Sequence, residues 1–102
     1  MDNVKNTKKV YDLEDRTLIF AKNVRLFIKT LPKTIANIED SKQVVRASGS
    51  VGANYREAKE SGYWLRLINE TNDLENSNSA LELIQEATEL KKILSAILEK
   101  SK

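Results

Sequence analysis

The side chains best placed for chemistry in this chain are cations. Lys22, Arg25 and Lys29 recur at steps of three and four, which sets all three on one face of any helix that carries them, and Lys33 extends the run. A stripe of this kind neutralises phosphates along a nucleic-acid backbone. The plainer reading is a solvated helix face, because such stripes are common on helical surfaces. Arg46 and Arg56 add two further cations around the segment RASGSVGANYREA, residues 46–58. Ala47, Ser48, Gly49, Ser50, Gly52 and Ala53 are all small. A glycine-rich phosphate loop would need GxxxxGK[ST] or GxGxxG after a strand, and neither spacing is present. The segment therefore reads as a close-packing surface with Gly49 and Gly52 at its centre. Asn54 falls on an apolar stripe, where a buried amide sets register or oligomer state. Trp64 beside Tyr63 reads as a core or interface anchor. Glu57 and Glu60 share a helix face, but two carboxylates do not make a metal site.

Two absences narrow the chemistry further. The chain has no Cys and no His. Disulfides, thiolate ligands and cysteine nucleophiles go with the first. The usual general base near neutral pH and the commonest metal ligand go with the second. Nothing arranges the remaining carboxylate or Ser-Lys options, so the expectation is a non-enzymatic protein with no cofactor, no metal and no small-molecule substrate. The longest apolar runs are a few residues, far short of the roughly 18 that span a bilayer. The start, Met1 to Lys9, is polar and unlike a secretory signal. The expected location is cytoplasmic, without membrane contact.

The elements that must position these residues are helical. Only three Gly and one Pro interrupt 102 residues, which favours one domain of long helices, with 1–11 a frayed polar lead. Asp12 and Asp15 make a capping-box start. Leu13, Thr17, Phe20, Val24, Phe27 and Leu31 then step as one helical stripe until Pro32 ends it, giving a helix over about 12–31. Asn37 or Ser41 is the expected cap of the next. Val44, Ala47, Val51, Asn54, Ala58, Ser61, Leu65 and Ile68 keep the same phase throughout, which predicts one long helix over about 40–70. The alternative is two helices broken near Ser61–Gly62. After a polar loop, Ser79 with Glu82 caps a third helix over about 79–100, its core stripe Ala80, Leu83, Ala87, Leu90, Leu94 and Ile97. Lys91, Lys92 and Lys100 sit toward its negative C-terminal end. Short connections make the neighbours antiparallel. The predicted fold is an all-α, up-down antiparallel bundle resembling a four-helix bundle, with three long helices per chain. A core this thin invites self-association.

Residues 46–58, followed by KESGYWLRLI at 59–68, resemble the bacterial four helix bundle protein family, also called 23S rRNA intervening-sequence proteins. LPKTIANIED at 31–40 and the pair Gln43 and Arg46 join the resemblance, which spans about 18–98. It implies an antiparallel four-helix fold, a ring-like homo-oligomer (a pentamer), and no established catalytic residues. A similar barrel-shaped family assists reverse transcriptases and binds nucleic acid. Gln43, Arg46, Ser50, Asn54 and Glu57 match the family motif and read first as structural or interface residues. One departure stands out. Relatives carry a further helical stretch, with a turn, between the equivalents of Ala58 and Lys59. Its loss would fuse two antiparallel helices into one.

Residues 1–66 carry 13 basic and 8 acidic side chains, and 67–102 carry 4 and 7, so the basic part of one subunit can meet the acidic part of another. Two functions follow as expectations. One is an oligomeric adaptor that contacts RNA or DNA through Lys22, Arg25, Lys29, Arg46 and Arg56. The other is a protein–protein assembly module.

Overall fold

The computed structural model describes residues 12–74 and 77–100. The lead over 1–11 lies outside them. Four helices follow in order: α1 (Leu13–Ile28), α2 (Ile35–Gly49), α3 (Tyr55–Thr71) and α4 (Ser77–Lys100), with one 3-10 turn (Val51–Ala53) between α2 and α3. Each helix packs on its neighbour in sequence, and α1 also packs on α4. The pairings across the helices run antiparallel. Thr17 faces Gly52 and Arg25 reaches Ser48 between α1 and the α2 corner. Asn37 meets Asn72 between α2 and α3. Gly62 faces Ala87 between α3 and α4, and Arg16 pairs with Glu86 between α1 and α4.

The apolar stripes explain why the helices meet in this order. Phe20, Val24 and Phe27 of α1, Val44 and Ala47 of α2, Ala58, Leu65 and Ile68 of α3, and Ala80, Leu83, Ala87, Leu90 and Leu94 of α4 are all buried, with Leu31 and Val51 contributed by the connections. Burying each large side chain of this set contributes about 1.5–3 kcal/mol. Asp12 caps α1 as its spacing predicts, its carboxylate accepting from the Asp15 amide at 2.8 Å. The Thr34 side chain, not Asn37 or Ser41, caps α2, accepting from the Asn37 amide at 3.1 Å. α4 begins at Ser77, so Ser79 and Glu82 lie inside the helix rather than at its start.

The single helix expected over 40–70 is two helices. The break lies at 50–54, and Ser61–Gly62 are inside α3. Asn54 is the reason. Its backbone is extended and its side-chain oxygen accepts from the Glu57 amide at 3.1 Å, so it starts a new helix with a glutamate three residues on. Ser48, Gly49, Ser50 and Gly52 weaken the helix just before it. The apolar phase survives the break because Val51 and Ala58 face one core from both sides of the corner. The described residues of one chain thus build four helices by themselves, and residues 40–70 are not one fused helix. The junction Ala58–Lys59 lies about one turn inside α3.

Three further corrections follow from packing. Asn54 is exposed rather than buried on the stripe. The buried amide is Asn37, 4% exposed, which donates to the Pro32 carbonyl at 2.9 Å and to Asn72 at 2.8 Å. Asn72 donates back to Asn37 at 2.9 Å and to the Ile68 carbonyl at 2.8 Å. This reciprocal pair ties the start of α2 to the end of α3, and it satisfies amide groups whose unpaired burial costs about 1–3 kcal/mol. Ile97 is 48% exposed, whereas Leu94 one turn back is buried, so the apolar stripe of α4 leaves the core after Leu94.

Candidate nucleic-acid interface

α1 presents two outward edges, and the candidate cations lie on one of them. Ile19, Asn23, Leu26 and Thr30 border α4. Leu18 and Arg25 lie toward α2, where Leu18 faces Ser48, Gly49 and Ser50 across a shallow pit, and Lys22 and Lys29 share their side of α1, pointing outward. Lys22 and Lys29 are exposed and make no ion pair with a described residue. Arg25 is committed differently. Its Nη1 donates to the Ala21 carbonyl at 3.0 Å and to Ser48 Oγ at 3.4 Å, and its Nη2 to the Val45 carbonyl at 3.5 Å. It therefore bridges α1 to the C-terminal part of α2, where a cation is favoured by the helix dipole.

Arg46 lies on the opposite flank of α2. Its Nη2 donates to Gln43 Oε1 at 3.0 Å, one turn back. A hollow of about 250 Å³ between α2 and α3 is lined by Gln43, Arg46, Ala47, Ser50, Glu57 and Glu60. The motif residues Gln43, Arg46, Ser50 and Glu57 thus converge at the corner that Asn54 caps. With two carboxylates against one guanidinium, this hollow is a poor phosphate site. Arg56 is exposed on α3, without hydrogen bond or ion pair among the described residues. The five candidates therefore do not form one uninterrupted stripe. Lys22, Lys29 and Arg56 are open to an anion, while Arg25 and Arg46 hold local structure.

The glycines and aromatics take lesser roles. A Cβ on Gly49 would lie 3.5 Å from Arg25 Nη2, and one on Gly52 would lie 3.4 Å from Thr17 Oγ1. Side chains, not a neighbouring backbone, approach both positions, so the small residues at 49 and 52 make ordinary contacts. Trp64 is half-buried against the core, with Tyr63 edge-on at 5.0 Å and 81°. That geometry suits an aromatic anchor.

Sequence periodicity missed two features that the tertiary packing creates. One is a groove of about 580 Å³ between α1 and α4, with Ile19 and Leu26 at one lip and Ser79, Glu82 and Glu86 at the other. Arg16 bridges it, its Nε and Nη2 donating to Glu86 at 3.0 and 2.8 Å. The Arg16 pKa is raised above its ordinary value, first by that hydrogen bond, against an opposing effect of burial, and then by the charges of Glu86 and Glu89. The other is a basic hollow between α3 and α4. Among the described residues no three His, Cys, Asp or Glu side chains gather where they would hold a metal ion, and no helix is long and apolar enough to cross a membrane. No protein-family model, curated protein or solved structure matches the chain.

Proposed function

We propose that this chain is a non-enzymatic, self-associating helical-bundle protein that contacts nucleic acid, with structured RNA as the expected form. The observation that carries the reading is the outward face of α1, where Lys22 and Lys29 stand exposed, with no ion pair to a described residue, on either side of an anchored Arg25. Cations already free of carboxylates lose no ion pair when they meet a phosphate, and the release of counterions drives the contact. The opposite edge supports self-association, because Ile19 and Leu26 leave apolar surface open beside the α4 groove. The proposal extends to membership of the four helix bundle protein family, with a ring-like oligomer in a bacterial cytoplasm. The motif residues at 43–58 and the four antiparallel helices support it.

Fluorescence anisotropy with a labelled structured RNA and a duplex DNA across a salt series tests the reading, with light scattering on the same samples. Saturable binding that weakens steeply with salt is expected, and Lys22→Glu with Lys29→Glu should abolish it while leaving the assembly mass unchanged. A second reading, a protein–protein assembly module, is favoured by Leu18 at 67% and Ile35 at 84% exposure, since large apolar side chains this open gain most from a protein partner. A well-folded oligomer that binds neither nucleic acid at low salt decides for that module. So does a change of mass in the Lys22 and Lys29 variant.

A further inference from the structure

Lys59 is separated by more than thirty residues from Lys91 and Lys92, and no periodicity along one helix groups them. The antiparallel packing of α3 on α4 does. It lays the first turns of α3 beside the C-terminal half of α4, and a hollow of about 500 Å³ opens there, lined by Tyr55, Lys59, Lys91, Lys92, Ser95 and Ala96. No carboxylate is among the lining residues, and none of the three ammonium groups makes an ion pair with a described residue. Gathering like charges raises the free energy of the folded chain. The hollow on the other flank of α3 balances its cation with Glu57 and Glu60. Here no described carboxylate balances the three cations, two of which come from the segment that is otherwise acidic.

We infer that this hollow binds a run of adjacent phosphate groups. Lysine ammoniums act as point charges toward phosphate oxygens, each with three donors, and the hydroxyls of Tyr55 and Ser95 add two more groups able to donate. Three cations in one hollow match an anion of several charges, such as a triphosphate, better than a single carboxylate. The hollow is within the size range of small-ligand sites. The same chemistry is offered by free polyphosphate and by consecutive phosphates of a nucleic-acid backbone. The site is independent of the α1 edge, so it stands or falls separately from the proposed function.

Isothermal titration of the full chain with inorganic triphosphate at low salt tests the inference. One triphosphate bound per chain is expected. The variant Lys59→Ala, Lys91→Ala, Lys92→Ala should weaken binding about tenfold or more, by loss of charge-assisted hydrogen bonds. A control with the same change of net charge, Lys33→Ala, Lys42→Ala, Arg66→Ala, should leave it nearly unchanged. Structured RNA that displaces triphosphate competitively identifies the ligand as backbone phosphate. Simultaneous binding of both identifies it as the free anion, and either result supports the site. Equal weakening by the two triple variants, or no saturable binding at low salt, overturns it. Circular dichroism monitors folding, and the hollow variant is expected to melt no lower than the parent because repulsion is removed. Should it unfold, Lys92→Gln alone decides, and an unchanged affinity in that variant overturns the inference.

Discussion

The two flanks of α4 are built differently. Toward α3 the middle of the seam is closed, because Gly62 meets Ala87, and a Cβ on Gly62 would lie 3.6 Å from that of Ala87. Leu65, Ile68 and Leu90 are then sealed beneath. Toward α1 the seam is open. Phe20 and Phe27 reach the core, but Ile19 and Leu26 on the same helix remain exposed beside a groove, and the Arg16–Glu86 ion pair between α1 and α4 is about one-third exposed. Small residues let two helices approach and exclude water between them. Bulky ones on a short helix fill the centre and leave the rim unfilled. The closed seam holds the fold, and the open seam leaves Ile19 and Leu26 exposed.

Leu65→Ala should test that contrast hardest. It removes a fully buried side chain from the closed seam and should cost about 2–5 kcal/mol by chemical denaturation, whereas Leu26→Ala at the open rim should stay within about 0.5 kcal/mol. A similar cost for the two would erase the distinction. Asn72→Ala should cost about 1–3 kcal/mol, because it leaves the buried Asn37 amide short of one donor and one acceptor. Hydrogen exchange should then speed at the start of α2 and the end of α3 before the α3–α4 seam responds. Gly62→Ala should raise stability by about 0.5–1 kcal/mol, since the new methyl makes an ordinary contact with Ala87 and alanine favours the helix. A loss instead would mean that the closed seam has no room left. Arg16→Gln should cost less than about 1 kcal/mol, as expected for an ion pair this open to solvent, and the difference should shrink further in high salt.

How much of the candidate site was legible follows the same division. Lys22, Arg25 and Lys29 were grouped by helical spacing, and the structure keeps them on one edge. Spacing says nothing about Arg25 reaching Val45 and Ser48, because that contact depends on how α1 and α2 pack. Lys91 and Lys92 read from the sequence as charges at a helix C-terminus. Their meeting with Lys59 needed the register between α3 and α4. The corner at 50–54 was half legible. Asn54 with Glu57 is a cap signature in plain view, yet the uninterrupted apolar phase pointed to a continuous helix. A hydrophobic period records which residues face the core and is blind to whether the chain turns between them.

By itself, then, the sequence determined the all-helical character, the buried stripes, the start of α1 at Asp12 and its end before Pro32, because propensity, capping and amphipathic period act within a few residues of one another. The break at 50–54, which makes four helices rather than three among the described residues, rests on the local Asn54 cap that the continuous apolar phase obscured. Tertiary structure alone decided that Asn37 rather than Asn54 is buried and that three distant lysines share one hollow. Each of these depends on which surfaces meet across the bundle, and that geometry is set by the joint packing of all four helices and not by any local run of residues.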